Sequence, residues 1–313
     1  MQHATQPNQI GGIHAGSCVT IGNFDGVHLG HQGLIRRTVD AARAHGVPAV
    51  VVTFHPHPLR FFTGKNQPPF ITTPAQKARC IEALGVDALL TLPFDRTLAS
   101  MPPETFVEQV LVDGLHVREL FIGYDYAFGR GRAGNYDVLR RLGEGFGFIV
   151  HQLPPVLVDG VIVSSTRIRD LLVAGDVWAA RSLLGRFHCV EGTVVPGHRR
   201  GGALLGFPTA NVLLTDELFP QTGVYCAWAQ WDGLYHPAVL NIGFNPTFGG
   251  TVLSVEAHVL DFSGDLYGRH LALHLVQRLR GERKFAGVDE LRAQIARDVA
   301  LARSVLALPE AKA

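Results

Sequence analysis

Two histidines stand three residues apart in a glycine-rich string near the start of the chain. The string Gly22–Ile35 (GNFDGVHLGHQGLI) follows a β-branched run and leads into a helical pattern, which we expect to start between Leu29 and His31. A strand, a glycine turn and a helix N-terminus form an anion site, because free backbone N–H groups and the helix dipole face a bound phosphate. The imidazoles of His28 and His31 suit charge stabilisation on a phosphoryl group. Taken without its context, a lone histidine at such a position is more often a surface or cap residue than a catalytic one.

The first ten residues of this string, GNFDGVHLGH, resemble the HxGH signature of the nucleotidylyltransferase superfamily. The string looks like the specific form found in the FAD synthetases of bacterial bifunctional flavin enzymes. The resemblance implies ATP contacts for Gly22, Phe24 and Gly30, and catalytic roles for His28 and His31 in adenylyl transfer. Small residues in the turn let a phosphate approach the backbone closely.

Three further segments resemble the same family and occur in its order. They are TFHPHP at 53–58, GYDYAFGRGRAGN at 123–135 and SSTRIR at 164–169. The first ends a predicted strand, at the sheet edge where ligands of open α/β folds collect. Each segment alone is also compatible with a plain turn or a capped helix. The resemblance implies flavin contacts for Pro56, Asp125 and Asn135, and ATP contacts for Ser165, Thr166 and Arg169.

A second glycine-rich turn lies in the other half of the chain, within GTVVPGHRRGGALLGFPTANV at 192–212. Exposed N–H groups in such a turn cradle phosphates, and a Thr hydroxyl beside an Asn amide supplies hard oxygen ligands for Mg²⁺. No P-loop string is present in the sequence. GFPTAN resembles the riboflavin kinase family, a small antiparallel β-barrel with a C-terminal helix. The resemblance implies ATP contacts for Gly197 and Thr209, and Mg²⁺ contacts for Thr209 and Asn211.

The segments 238–248, 256–262 and 279–285 are similar to the same kinase family. The resemblance makes Glu256 the general base for the ribityl 5′-hydroxyl of riboflavin, a role that a carboxylate within hydrogen-bond reach fills. From strand position alone, Glu256 would be a polar residue on an exposed face. The group His258, Asp261 and His270 is interpreted as structural and not as a metal cluster.

The sequence departs from the families' usual pattern at three positions, Ala127, Asn135 and Ala203. Tyr126-Ala127 stands where an aromatic residue followed by Arg is usual, Asn135 where Asp is usual, and Ala203 where Arg is usual. These departures bear on substrate affinity more than on the reaction type. Nearby arginines that could supply the missing charge are Arg130, Arg132, Arg199 and Arg200.

The composition excludes several other classes of protein. The 313 residues suit two domains, and Lys plus Arg (28) nearly balances Asp plus Glu (27), so bulk charge attracts neither nucleic acid nor membrane. The four cysteines form no CxxC pair and are expected to be reduced core thiols. The N-terminus has no apolar signal region, and no run is long enough to cross a bilayer. We therefore expect a soluble cytoplasmic protein.

Strands alternate with helical segments in the first half, which predicts βαβ units and a parallel sheet, and the resemblance to nucleotidylyltransferases implies a Rossmann-like α/β domain. The second half has short strands separated by Gly and Pro turns, which predicts antiparallel β structure, and the resemblance to riboflavin kinases implies that it forms an antiparallel β-barrel. It is closed by an amphipathic helix, Val288–Leu306, that we expect to pack on the barrel. We predict domains at 1–185 and 186–313. The predicted strands are Cys18–Gly22, Ala49–Phe54, Ala88–Leu92, Glu119–Gly123, Cys189–Val195, Gly223–Gln230, Ala238–Ile242 and Val252–Leu260.

Taken together, the sequence predicts a bifunctional enzyme that phosphorylates riboflavin to FMN and adenylylates FMN to FAD, with ATP as donor and Mg²⁺ as cofactor. Three alternatives stay open. The first domain could have lost or changed its transferase activity, the chain could be a flavin-binding regulatory or carrier protein, or the acceptor could be another phosphate ester. A product assay separates the first two from the main hypothesis.

Overall fold

The computed structural model describes residues 1–196, 206–247 and 250–312. The chain divides into two compact units, Met1–Ser165 and Thr166–Ala313. The helix at 177–184 falls in the second unit because it packs on the strands at 188–195 and 270–280. This division comes about twenty residues before the junction predicted from the sequence. The domain limits 1–185 and 186–313 therefore stay a prediction.

The first unit contains a six-stranded sheet in which all neighbouring strands are parallel. Its spatial order is β1-β4-β3-β2-β5-β6. The predicted parallel sheet is confirmed, and the structure adds an edge strand at each side. The strands are β1 (Gln2–Ala4), β2 (Ser17–Ile21), β3 (Ala49–His55), β4 (Ala88–Pro93), β5 (Val117–Gly123) and β6 (Ile149–Leu153), and a separate hairpin is formed by β7 (Leu157–Val158) and β8 (Val161–Ile162).

Both faces of this sheet are covered, which explains why its central strands are apolar on both sides. All five residues of β2 are buried. Val19, Ile21 and Val50 belong to the apolar cluster on one side, while Cys18 and Val51 belong to the cluster on the other. The helices of this unit are α1 (Leu29–His45), α2 (Pro58–Thr63), α3 (Pro74–Glu82), α4 (Arg96–Ser100), α5 (Pro103–Phe106), which continues as a π-helical turn over Val107–Val112, and α6 (Tyr136–Phe146).

The second unit contains a closed six-stranded antiparallel barrel, as predicted. Its order is β10-β13-β12-β11-β14-β9. The strands are β9 (His188–Val195), β10 (Ala210–Leu214), β11 (Gly223–Trp231), β12 (Leu234–Thr247), β13 (Gly250–Val259) and β14 (His270–Arg280), and the helices are α7, which begins at the unit boundary (Ser165–Val173), α8 (Val177–Leu184) and α9 (Val288–Leu306).

The C-terminal helix α9 packs on β11, β12 and β14. It buries Ala302, Val305 and Leu306 against Cys226 and Val239 of the barrel. Asp298, on the same helix, is buried and forms an ion pair with Arg280 of β14 at 2.8 Å. The prediction that this helix covers its own barrel is confirmed.

None of the four cysteines forms a disulfide, and two of them are core residues as predicted, whereas Cys80 and Cys189 are half-buried. Cys18 and Cys226 are buried, and burial raises the pKa of Cys18 to about 11 and that of Cys226 to about 12. The reactive form of a cysteine is the thiolate, so these two side chains are unreactive core residues.

Candidate active sites

The loop that follows β2 is bent by three residues with positive φ. They are Phe24 (φ 50°), Gly26 (φ 81°) and Val27 (φ 39°). Glycine adopts such a conformation freely, whereas for a bulky residue it is uncommon and needs support from its surroundings. Phe24 and Val27 have that support because both side chains are only 1% exposed. The loop is therefore held by burial of its apolar side chains.

The structure brings the two predicted histidines together at the start of α1. His28 is the N-cap residue, and its Nδ1 accepts a hydrogen bond from the His31 backbone N–H at 3.3 Å. The two imidazole rings stack with centroids 3.6 Å apart and planes 18° apart. Because Nδ1 of His28 is the acceptor, the neutral ring carries its proton on Nε2. His28 thus caps the helix through Nδ1 and carries its N–H on Nε2.

Gly22 and Gly30 lie against aromatic rings of this loop. A Cβ atom on Gly30 would lie 3.2 Å from Cε1 and Nδ1 of His28, and one on Gly22 would lie 3.0 Å from Cζ of Phe24. The Phe24 ring in turn packs edge-on against His31, with centroids 5.2 Å apart. Within the described residues, the glycines thus make room for the rings that position the histidine pair.

Asp25 anchors the loop, and sequence reasoning did not single it out. Its carboxylate is 4% exposed and accepts the backbone N–H of Ile71 at 3.0 Å and of Thr72 at 3.3 Å. The Thr72 hydroxyl accepts the Gly26 N–H at 3.1 Å, which ties the two segments together a second time. A carboxylate inside a glycine-rich turn was the only available signal in the sequence.

Lys77 of α3 is a second residue that the sequence did not reveal. Its Nζ donates to the backbone oxygen of Asn23 at 3.1 Å and to the Thr53 hydroxyl at 3.3 Å. Burial lowers the pKa of Lys77, and the charge of Asp25 offsets part of that effect. The ammonium group therefore joins the end of β3 to the loop after β2.

A cavity of about 60 Å³ lies at the carboxyl ends of β3 and β4. Among the side chains that line it are Lys77, His55 and His57. His57 caps α2, because its Nδ1 accepts the Leu59 N–H at 3.1 Å. The predicted flavin residue Pro56 lies on the exposed turn between the two histidines, after a cis peptide bond.

The predicted flavin-site loop is structured, but its two candidate residues are placed differently. Asn135 is the N-cap of α6 and accepts the Val138 N–H at 3.1 Å, so it has a structural role of its own. Asp125 is exposed beside Gly123. The Tyr126 hydroxyl is buried without a hydrogen-bond partner in the part of the chain that the structure describes, and burial raises its pKa.

The second ATP motif, 164–169, crosses the boundary between the two compact units. The Ser165 hydroxyl donates to the backbone oxygen of Asp25 at 2.9 Å, so Ser165 reaches the histidine loop. Thr166 and Arg169 lie on α7 and belong to the second unit. Thr166 is exposed, and Arg169 is half-buried.

Strand register assembles the second site. Asn211 of β10 lies directly opposite Glu256 of β13, and Glu256 lies directly opposite Asn241 of β12. Directly opposed residues of an antiparallel pair project from the same face, so the three side chains form one row. Their strand neighbours, such as Val212 and Val255, are buried on the other face. We call Asn211, Glu256 and Asn241 the polar row.

Thr209 stands two positions before Asn211 and is exposed beside the row. Asn241 and Glu282 were not singled out from the sequence. A Cβ atom on Gly243 would lie 2.7 Å from Oε1 of Glu282 and 3.9 Å from Nδ2 of Asn241, so that carboxylate lies near the row. The predicted ATP residue Gly197, and Arg199, Arg200 and Ala203 with it, lie outside the described residues.

His258, Asp261 and His270 each contact a different partner. His258 Nδ1 lies 2.8 Å from the backbone oxygen of Pro208, and Asp261 forms two hydrogen bonds of 2.7 Å with Arg303. His270 Nε2 lies 3.7 Å from Glu191. These separate contacts support the structural interpretation of the three residues.

The fold and the two sites define a class of protein. A parallel sheet carrying a histidine pair at a helix start is joined to an antiparallel barrel carrying a Thr-Asn-Glu set. Residues 12–167 match the family model for FAD synthetase, and residues 184–306 match the one for riboflavin kinase. The chain belongs to the family of bifunctional riboflavin kinase/FMN adenylyltransferases. These family matches confirm the prediction, made from the sequence, that the chain combines two enzymes.

Individual relatives agree with the family matches. The chain is 43% identical to the bifunctional riboflavin kinase/FMN adenylyltransferase of Pseudomonas fluorescens, over 95% of each chain. It is 39% identical to the protein of that name from Escherichia coli K12, over 96% of this chain and 98% of the relative. A solved Streptococcus pneumoniae structure, named as a macrolide-efflux protein, is 31% identical, with a TM-score of 0.87 over 96% of this chain and 98% of that one. This likeness supports the two-unit fold along nearly the whole chain.

The helices of the described residues are too short or too polar to cross a membrane. Across residues 1–196, 206–247 and 250–312, none combines the length and the apolar character that a bilayer span requires.

Proposed function

We propose that the barrel phosphorylates riboflavin and that the parallel-sheet unit adenylylates FMN, at the residues described above and in the cytoplasm. The observation that carries the proposal is that each unit brings its predicted catalytic groups side by side. The His28 and His31 rings stack at 3.6 Å in one unit, and Asn211 faces Glu256 in the other. The near balance of acidic and basic residues and the four unpaired cysteines support the cytoplasmic location.

In the first reaction, Glu256 takes the proton of the riboflavin 5′-hydroxyl. The hydroxyl oxygen then attacks the γ-phosphorus of ATP, the bond to the β-phosphate oxygen breaks, and ADP leaves. Asn211, directly opposite Glu256, and Thr209 provide oxygen and amide groups on the same side of the barrel wall. Gly197 would contribute its backbone to the ATP phosphates.

The donor set of this site fits Mg²⁺. A hydroxyl, an amide oxygen and a carboxylate are hard oxygen ligands, which Mg²⁺ prefers over nitrogen or sulfur. Thr209 and Asn211 are the residues that would hold the ion. When bound, Mg²⁺ neutralises charge on the phosphate groups.

In the second reaction, a phosphate oxygen of FMN attacks the α-phosphorus of ATP and pyrophosphate leaves. The Nε2–H of His28 and the ring of His31 stabilise the negative charge that builds on the α-phosphate. Gly22, Phe24 and Gly30 shape the loop that would receive the ATP phosphates, and the N-terminus of α1 adds its dipole there.

The remaining predicted residues would complete the adenylylation site. Ser165, through its bond to the Asp25 backbone, links the second ATP motif to the loop. Thr166 and Arg169 follow on the same helix and would contact phosphates. Flavin contacts are assigned to Pro56, Asp125 and Asn135. Asn135 keeps its capping bond in this assignment, so its contact to flavin would use the amide N–H groups.

The experiment is a product assay with the full chain, ATP, Mg²⁺ and either riboflavin or FMN, resolved by chromatography. We expect FAD from both substrates. His28→Ala should make FMN from riboflavin and no FAD, whereas Glu256→Ala should make FAD from FMN only. His14→Ala, at an exposed histidine, is the matched control and should retain both activities.

Other outcomes select among the alternatives. FMN from riboflavin with no FAD from either substrate would overturn adenylylation and favour a chain that is a kinase alone. Binding of flavin without either product would overturn both reactions and favour a flavin carrier. Adenylylation of a different phosphate ester in preference to FMN would overturn the acceptor assignment.

A further inference from the structure

A cavity of about 560 Å³ opens in the second unit, and none of the residues that line it is assigned to either reaction. It lies between the turn that joins α7 to α8 and the end of β14. Its volume falls within the range of small-molecule sites and exceeds what a bare inorganic anion needs. The lining residues are Ala174, Gly175, Asp176, Val177, Trp178, Gln277, Arg278, Leu279 and Arg280.

The backbone makes room for the Arg278 side chain at three glycines. A Cβ atom would lie 2.9 Å from Cδ of Arg278 if added to Gly175, and 3.0 Å from Nε if added to Gly223. One added to Gly281 would lie 3.4 Å from Nη2. A larger residue at Gly175 or Gly223 would displace the guanidinium, so the position of Arg278 is built into the fold.

The N–H groups of Arg278 have only some of their hydrogen-bond partners in this position. Its Nη2 donates to the backbone oxygen of Thr222 at 2.6 Å, and it also bonds to the Tyr225 hydroxyl. Its Nε is buried without a hydrogen-bond partner within the described parts of the chain, where no carboxylate forms an ion pair with it either. A half-buried cation without an anion is costly, and a bound anion removes that cost.

The other charges of the lining are already paired. Arg280 forms hydrogen bonds to both carboxylate oxygens of Asp298, at 3.0 Å and 3.1 Å from its Nε. Asp176 caps α8, because its Oδ1 accepts the Ala179 N–H at 3.0 Å. Of the three charged residues that line the cavity, Arg278 is the one available to a ligand.

We propose that this cavity binds a phosphate ester that carries a planar ring, a flavin or adenine nucleotide, through Arg278. A planar guanidinium pairs well with phosphate oxygens, and Trp178 is the aromatic residue among those that line the cavity, which suits a ligand with a planar ring. The choice of nucleotide rests on the proposed function, since flavin and adenine phosphate esters are its substrates and products. The anion site itself rests on Arg278 and its surroundings.

Equilibrium dialysis of the full chain with FMN, AMP or inorganic phosphate tests this. We expect Arg278→Met to retain both enzymatic activities. It should bind one equivalent less of FMN, of AMP or of both than the wild-type chain binds. Arg297→Met, the same change at an exposed position on α9, should bind as the wild type does. The nucleotide whose equivalent is lost identifies the ligand.

Two charge changes at the rim of the cavity test the proposal even if Arg278→Met does not fold. Gln277 is exposed, so Gln277→Glu should keep the fold and weaken binding by about 5-fold. Asp176→Asn keeps a capping side chain while removing a negative charge, so it should tighten binding by about 2-fold.

Several results would overturn the site. Equal stoichiometry in the wild type and Arg278→Met for all three probes would do so, as would unchanged affinity in both rim variants. Loss of an equivalent of inorganic phosphate alone would overturn the nucleotide assignment. If the wild-type chain had neither kinase nor transferase activity, the proposed function would be wrong, and the dialysis result would still hold.

Discussion

The two candidate sites are positioned by different means. In the parallel-sheet unit, an irregular loop with three positive φ angles is held by its own Asp25, which bonds to a distant segment, and by Thr72 and Lys77 from outside the loop. In the barrel, Asn211 and Glu256 lie on adjacent regular strands, and backbone register alone sets them opposite one another. The first site therefore depends on a few buried polar bonds, whereas the second depends on a ladder that many residues share.

This difference predicts how each site fails. Removing one anchor should distort the loop, whereas a side-chain change in the polar row should leave the ladder intact and affect chemistry only. The chain offers a convenient probe, because its three tryptophans, Trp178, Trp228 and Trp231, all lie in the second unit. Tryptophan fluorescence thus reports on that unit, and circular dichroism reports on both.

The largest effect is expected for Glu256→Gln. The change keeps size and removes the base, so the riboflavin kinase rate should fall by about 10²- to 10⁴-fold. Unfolding measured by tryptophan fluorescence should be unchanged, and so should FAD formation from FMN. Glu310→Gln, at an exposed position, is the control. A kinase rate within a few fold of wild type would show that Glu256 is not the base.

The next effect is expected for Asp25→Ala, which leaves the N–H groups of Ile71 and Thr72 without their acceptor. Leaving buried donors unsatisfied should lower the free energy of unfolding of the first unit by about 3 kcal/mol. Urea unfolding followed by circular dichroism measures this. FAD formation should fall while kinase activity persists.

Asp40→Ala, at an exposed aspartate on α1, should change stability by no more than about 0.5 kcal/mol. Equal unfolding curves for Asp25→Ala and the wild type would contradict the anchoring role. A parallel loss of kinase activity would contradict the independence of the two sites.

A pH-dependent effect is expected at Glu119, another side-chain link of the first unit. Its carboxylate pairs with His45 and lies 2.7 Å from His151 Nε2. Burial by itself raises the pKa of Glu119, but the hydrogen bonds and charges of the two histidines outweigh burial and lower it. A lowered pKa stabilises the fold above the unfolded value near 4.5, and that stability is lost as pH falls through the folded pKa.

The measurement compares the free energy of unfolding of the wild type and Glu119→Gln across this acid range. Wild type should be the more stable above the unfolded pKa, and the gap should close as pH falls. Glu108→Gln, at an exposed glutamate, should show no such pH dependence. A gap that widens in acid would reverse the sign and refute the argument.

The smallest effect is expected for Tyr126→Phe. The Tyr126 hydroxyl is buried without a partner in the described structure, while its ring stacks on Phe128 with centroids 5.7 Å apart. Phenylalanine keeps the ring and removes the unsatisfied group, so stability should rise by about 1 kcal/mol. A thermal melt followed by circular dichroism tests this, and a loss of stability would indicate that the hydroxyl has a polar partner.

Local sequence predicted much of the framework. Buried β-branched runs gave the central strands, because a strand covered on both faces has to be apolar. Thr73-Pro74 is an N-cap residue followed by Pro, a pattern that predicts a helix start, and α3 begins there in the structure, which adds a capping box with Gln76. The 19-residue helix α9 was predicted from its amphipathic pattern. These features depend on residues that are close together along the chain, which is why the sequence was sufficient to predict them.

Some features required the tertiary structure. Asp25 and Ile71 are 46 residues apart in the chain, and Asn211 and Glu256 meet only through strand pairing. The chain divides into compact units after Ser165, and α8 packs on the barrel through a long-range interaction that composition does not reveal. The sequence by itself determined the residue types of both sites and the local elements that carry them. Only the tertiary structure decided which of those residues touch, because pairing and burial join segments that are distant along the chain.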